Sequence, residues 1–149
     1  MNEIKIRVVG IPAAQGSKTL TRYGAMIESS KKVRPWRQDV KQASLQSYQG
    51  SPLNMPVKAT LEFVFNRPKS HYGTGKNATL LKSSAPNYCV SRGRGDIDKL
   101  VRSTLDGLSV SAGGTVLEDD CLVTELSSLK RYAKYGELGG AYITIQTLQ

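Results

Sequence analysis

Acidic residues are scarce in most of this chain. The first 95 residues hold only four Asp or Glu against sixteen Lys or Arg. That imbalance argues against a partner that is itself basic and favours one rich in phosphate. Cysteine is nearly absent as well. Cys89 and Cys121 stand alone, neither in a CxxC, so a zinc ribbon or dithiol pair is excluded and free thiols are expected. His71 is the only histidine and has no Cys or His beside it, so it reads as a surface or DNA-contacting residue rather than a metal ligand. No run of eighteen apolar residues occurs, which excludes a membrane-spanning helix. The opening Met1-Asn2-Glu3-Ile4-Lys5 has no apolar signal core, so a cytoplasmic protein is expected. There is no internal repeat and no low-complexity segment.

What is present suits one domain spanning residues 1–149, a length that can bury a true core. Residues 3–9 alternate, with Ile4, Ile6 and Val8 on one side and Lys5 and Arg7 on the other, which predicts a half-buried strand ended by Gly10 and Pro12. Residues 13–31 show no period. Within them Gln15-Gly16-Ser17, Lys18 and Arg22 form a small basic loop, either lying along a phosphate backbone or simply solvated. Residues 33–48 predict a helix with Pro35 in its first turn and Trp36, Val40 and Ala43 as a narrow apolar stripe. Trp36 is expected in the core.

The clearest strand is 56–66: Val57, Ala59, Leu61, Phe63 and Phe65 share one face, and Lys58, Thr60 and Glu62 the other. Val64 interrupts the polar face, so that face should be partly covered. A helix is predicted over 96–109, with Ile97, Leu100, Val101, Leu105 and Leu108 buried and Asp98, Arg102 and Asp106 stacked on the opposite face. Strands are expected at 120–131 and 141–148. The order β-α-β-loop-α-β-β points to an α+β fold, a mixed sheet of about four strands packed with two main helices.

The stretch from 66 to 95 is unlike the rest. It holds Arg67, Lys69, Lys76, Lys82, Arg92 and Arg94, together with His71, and no acid. So long an irregular segment in a small domain is functional, disordered or a plain insertion; here it reads as a mobile basic arm that grips DNA and orders on binding.

The arm feeds into Gly95-Asp96-Ile97-Asp98-Lys99, and Glu118-Asp119-Asp120 follows about twenty residues later. A concentrated acidic spot in a basic protein suits a cation held against a polyanion. Mg²⁺ takes one or two carboxylates, waters and substrate oxygens, and it assists phosphodiester hydrolysis by acidifying water and polarising the phosphate. Asp96 and Asp98 stand at a helix mouth and Asp120 opens the following strand, so the three are expected to converge, with Asp119 as a further candidate ligand. The blander reading is an N-cap and a solvated turn. Arg102 either pairs with Asp98 or Asp106 or reaches the scissile phosphate. Lys99 points to the side and reads as a DNA contact.

These residues also carry a resemblance. The run from Asp96 through Asp98, Lys99, Arg102 and Asp106 to Leu108, then Glu118-Asp119-Asp120-Cys121-Leu122-Val123, resembles the RusA-type Holliday junction resolvases. Gly10-Ile11-Pro12, Gln15-Gly16-Ser17 and Arg67-Pro68-Lys69-Ser70-His71-Tyr72-Gly73 are similar to the phage-encoded branch. The resemblance implies a homodimeric, Mg²⁺-dependent endonuclease, with Mn²⁺ able to substitute. It implies paired symmetric nicks in four-way DNA junctions during recombination and repair, in a bacterial or phage-infected cell. It places the metal-holding acids on Asp96, Asp98 and Asp120. The family's catalytic lysine position is Arg102 here, and its motif asparagine is Lys99. Arg stays protonated, so a role needing a neutral amine is lost at that position. Two rival functions are a non-catalytic DNA-binding recombination accessory protein and a nuclease for other branched or flap DNA.

Overall fold

The computed structural model describes residues 3–16, 18–20, 26–28 and 31–148, with the backbone alone for 18–20 and 26–28. Strand β1 (Glu3–Val9) carries the predicted alternation inward, with Ile4, Ile6 and Val8 buried. Helix α1 (Val33–Ser47) buries Val33, Trp36, Val40 and Ser44, so the buried stripe begins one turn earlier than the sequence stripe and ends on Ser44 rather than Ala43. Trp36 is fully buried, and its indole N–H donates to Thr104 Oγ1 at 3.0 Å, which satisfies the one polar atom it brings inside. Strand β4 (Val57–Phe65) follows, then helix α2 (Ile97–Leu108), strand β5 (Val123–Tyr132) and strand β6 (Gly140–Thr147).

These strands form one four-stranded sheet in the order β1-β6-β4-β5. β6 lies antiparallel to both β1 and β4, whereas β5 runs parallel to β4, so the sheet is mixed as expected. Parallel neighbours need a long crossover, and here it is the arm plus α2. Both helices pack on the face that shows Ile4, Ile6, Ala59, Leu61, Phe63 and Ile143, with α1 against β1 and α2. The helices approach closely because Gly107 faces Val40; a Cβ there would sit 3.0 Å from Val40 Cγ1. The opposite face is mostly polar, with Val9, Leu129 and Tyr142 partly exposed on it, and its Val64 is fully buried, as the interruption in its pattern implied.

Two expectations change. Residues 13–31 are not wholly irregular. Short strands β2 (Lys18–Leu20) and β3 (Met26–Glu28) pair antiparallel, but three residues are too few for alternation to declare itself. Asp120 does not open a strand; it begins a 3₁₀ turn, Asp120–Leu122, and β5 starts at Val123. The 66–95 segment carries 3₁₀ turns at Lys69–His71, Gly75–Asn77 and Arg92–Arg94, and a β-bridge joins Tyr72 to Leu81. No helix among the described residues is long and apolar enough to cross a membrane. Cys89 is buried, Cys121 is exposed, and both are free thiols.

Candidate active site

The arm returns to the core at Gly95, whose φ of +84° favours glycine and whose missing side chain leaves room for Ala14; a Cβ would lie 2.5 Å from that of Ala14. Asp96 then takes the N-cap position of α2 with extended backbone, the place that the blander reading of the sequence gave it. Its carboxylate makes no capping hydrogen bond. It stands largely in solvent, 3.3 Å from the ammonium of Lys99. An N-cap aspartate ordinarily accepts from the backbone N–H two or three residues on; this one meets the Lys99 side chain instead. Asp98 lies exposed in the first turn, where the positive end of the helix favours a carboxylate. Arg102 follows one turn later, exposed, and no described side chain pairs with it.

Asp106 has a different partner from the one the row on α2 offered. Its Oδ2 accepts from Arg37 of α1 at 2.9 Å, and the same guanidinium nitrogen donates to Gln15 Oε1. Gln15 is buried, and its backbone N–H donates to Lys99 O at 3.1 Å. Loop, first helix and second helix therefore meet at one cation.

The second acidic group sits on the 3₁₀ turn ahead of β5. Asp119 accepts from the backbone N–H of Asp120 at 2.9 Å and from Ser111 Oγ at 3.0 Å. The Cys121 thiol, then Ser111, hold its carboxyl below the usual range. Asp120 is shifted the other way. Burial pushes its carboxyl up first, and the negative charges of Asp119 and Asp106 add to that. The acid of α2 whose charge weighs on Asp120 is therefore Asp106, two turns beyond Asp98. Among the described residues no three His, Cys, Asp or Glu side chains lie close enough together to hold one ion. Asp96, Asp98 and Asp120 do not form a closed cage in this conformation.

Their chemistry nonetheless fits a hard divalent cation. Asp96 and Asp98 offer oxygens that the helix does not use, and Asp120 carries like-charge repulsion that a cation would relieve. Mg²⁺ needs only one or two carboxylates where substrate oxygens and waters complete its shell. Lys130 of β5 steadies the arrangement by donating its Nζ to Gly95 O at 2.7 Å, tying the strand to the helix mouth. Arg37 and Lys130 had no functional reading in the sequence. Lys130 did carry a signal: it shares the core-facing parity of β5 with Ser128 and Tyr132, where a lysine needs a partner. Arg37 carried none, since its partners lie 22 and 69 positions away.

The basic residues fall into two groups. Lys69, Lys76, Lys82 and Arg92 are exposed. Arg67 and His71 instead anchor the arm: Arg67 lies 4.6 Å over the Tyr132 ring and donates to Pro86 O at 2.7 Å, and His71 meets the same ring edge-on at 5.3 Å. His71, expected as a surface or DNA-contacting residue, is half-buried. Arg94 is intermediate, donating to Asn66 O at 3.1 Å with its guanidinium 5.6 Å from the Phe65 ring. The backbone of Lys18 lies in β2; its side chain, and Arg22 entirely, fall outside the described residues.

Two shallow clefts of about 180 and 210 Å³ share Arg94: the first lies between residues 11–14 and the 92–95 turn, just ahead of α2, and the second between residues 10–12 and 64–68.

No curated protein matches this chain. The model of the family described as Endodeoxyribonuclease RusA matches residues 10–146, which takes in the loop, both helices, the arm and every acidic residue described above. The chain belongs to the RusA endodeoxyribonuclease family, hydrolases of the phosphodiester bonds of DNA and resolvers of Holliday junctions.

Proposed function

We propose that this chain is a Mg²⁺-dependent, structure-selective endonuclease that resolves four-way DNA junctions by paired symmetric nicks, acting as a homodimer in recombination and repair. Asp96, Asp98 and Asp120 would hold the ion, with Asp119 beside them, and Mn²⁺ would substitute. The observation that carries this reading is the N-cap at Asp96. A capping residue whose carboxylate makes no capping bond and meets only the ammonium of Lys99, at the head of a helix whose Arg102 has no partner among the described residues, is poorly explained by helix stability alone.

A divalent ion at such a site supplies charge relief on the phosphoryl oxygens and acidifies a water. The side chains of the chain do the rest. Arg102 lies one turn beyond Asp98 on the same exposed face, where a fixed cation stabilises the charge that develops on the phosphate. Because arginine does not lose its proton at physiological pH, Arg102 steadies the phosphate and does not protonate the leaving oxygen. Lys99 lies beside Asp96 and can exchange that contact for a phosphate when a strand arrives. The exposed Lys69, Lys76, Lys82 and Arg92 of the arm, with Arg94 at its base, attract the backbone of the junction limbs. The arm would order further around those limbs, and the loop carrying Lys18 and Arg22 would close on the strand from the other side.

The test is incubation with a synthetic four-way junction and with linear duplex of the same strands, with and without Mg²⁺. Symmetric nicks in the junction alone, and only with the ion, are expected. Asp98→Asn should retain junction binding and lose cleavage. Binding without nicking by the native chain under every metal would identify an accessory protein instead. Preferential cutting of flaps would identify a different nuclease specificity.

A further inference from the structure

The connection between β5 and β6 is held more firmly than a surface turn needs. Residues 134–137 form a tight turn, closed by the N–H of Glu137 donating to Lys134 O at 2.9 Å, with Gly136 in the left-handed conformation at φ +81°. A second bond runs the other way, from the N–H of Lys134 to Glu137 Oε1 at 2.9 Å. The Glu137 carboxylate is in turn gripped by both terminal nitrogens of Arg131 and by the Tyr142 hydroxyl. Just beyond, Arg7 donates to Leu138 O at 2.6 Å, and the N–H of Gly10 donates to Gly139 O at 3.1 Å. The side chain held out at the corner of this turn is Tyr135, 75% exposed.

Turn corners ordinarily carry glycine, proline or a small polar residue. A tyrosine in open water buries little, so it adds little to stability. Its value lies in what can rest on it. An aromatic ring with two side-chain torsions to fix is a contact surface of low entropic cost, and a ring face stacks on any open base.

Two observations point to a nucleotide as the occupant. Lys134, the neighbour of Tyr135, is exposed, and its ammonium has no acid partner among the described residues. A ring beside an unpaired cation offers one surface for a base and another for its phosphate. The second observation is position. The N–H of Gly139 donates to Asn66 Oδ1 at 3.1 Å, and Asn66 O accepts from Arg94 at 3.1 Å. Arg94 lies two residues ahead of Asp96. The turn is therefore tied to the base of the arm, beside the mouth of α2.

We propose that Tyr135 is a stacking platform for a base left open at the branch point of the junction, with Lys134 on the phosphate of the same nucleotide. The inference rests on the junction-resolving reading above and deepens it, naming a residue by which the chain tells branched DNA from linear. In an unbroken duplex every base face is covered by its neighbours, and the ring has nothing to stack on. At a branch point the stack is interrupted. Tyr135 selects the substrate and takes no part in the chemistry.

The experiment places 5-iododeoxyuridine at single positions around the branch point of a four-way junction, and at the same positions in linear duplex. Complexes with the native chain are irradiated without Mg²⁺, and the cross-linked residue is identified by mass spectrometry. In parallel, the native chain, Tyr135→Ala and Tyr135→Phe are titrated with both DNAs. A cross-link to Tyr135 is expected from one or two positions of the junction and from none in the duplex. Tyr135→Ala should bind the junction about tenfold more weakly, the loss of one base–aromatic stack, with duplex affinity unchanged. Tyr135→Phe should bind both as the native chain does. The melting temperature of Tyr135→Ala should match the native one; if it falls, the cross-link decides alone. Unchanged junction affinity in a stably folded Tyr135→Ala chain, or a cross-link map without Tyr135, would overturn the platform and leave the junction reading standing. An equal loss on junction and duplex would overturn it too, since a paired duplex offers no open base. A native chain that neither prefers nor cuts the junction would remove the junction reading, and the platform with it.

Discussion

Arg37 shows how a single residue can govern a site without belonging to it. Its guanidinium neutralises Asp106, and Asp106 is one of the charges that weigh on Asp120. The pair is largely shielded from solvent, and a charge-assisted hydrogen bond of this kind contributes about 2 kcal/mol. Arg37→Met should therefore lower the melting temperature by several degrees, roughly as 2 kcal/mol does in a domain of this length. Calorimetry checks this. Asp120 itself works against the fold. Its folded-state pKa is raised above its ordinary value, so the native state favours the protonated form and is penalised wherever the carboxylate is ionised, as at neutral pH. Asp120→Asn should raise the melting temperature by a few degrees at pH 7, with the gain fading as the pH falls through the range in which Asp120 protonates. A melting series across pH 3–8 would show it, and cleavage should be lost in the same variant.

Glu137 has the opposite sign. Arg131 holds it in a two-pronged contact at 2.7 and 2.8 Å, Tyr142 donates to it at 2.9 Å, and its pKa is driven far below the ordinary glutamate value. The stabilisation it contributes is complete above the unfolded-state pKa of about 4.3. It declines as the pH falls below that toward the depressed folded value. Glu137→Gln should flatten the acid limb of the stability curve, and the native and variant curves should converge at low pH.

At the scale of elements, the arm is held at its root and open along its length. Arg67, His71 and Tyr132 fix the root, and Lys69, Lys76 and Lys82 remain in solvent. Replacing the three lysines with alanine should weaken junction and duplex binding alike. It should reduce the slope of log K against log salt by up to about 2.7, at 0.9 for each phosphate that a lysine no longer neutralises. Titrations at several salt concentrations measure that slope directly. Gly95 is the hinge between arm and helix. Gly95→Ala forces a left-handed backbone on a residue with a side chain and meets Ala14 at 2.5 Å, so a loss of about 2 kcal/mol or more is expected, with α2 starting out of place.

The elements were legible in the sequence where burial imposed a period long enough to see. β1 coincides with its predicted range, and β4 and α2 differ from theirs by a residue at each end, which leaves Asp96 as the N-cap. The β2–β3 hairpin was too short to show a period. The convergence of Asp96, Asp98 and Asp120 was read from their proximity to element ends. End positions did not reveal that Asp106, two turns further along α2, also places its charge on Asp120. The Arg37 bridge joins three segments far apart in the chain, and no local pattern records it.

At the scale of the whole molecule, charge and topology divide the labour. The basic excess lies almost entirely ahead of residue 96 and the acids mainly after it, so in the proposed function the attraction of DNA and the holding of a cation would occupy different parts of one chain. The connection from β4 to β5 gives this division a temporal side. Those two strands are parallel neighbours, yet the 57 residues from 66 to 122 separate them, and these include the arm, α2 and all the candidate carboxylates. Closing so large a loop is slow and unrewarded until β5 docks. A chain still emerging from the ribosome therefore has no place to set Asp120 beside α2. The capacity to cut should appear abruptly, with completion of the last two strands, and a half-made molecule in a cell full of DNA should be harmless.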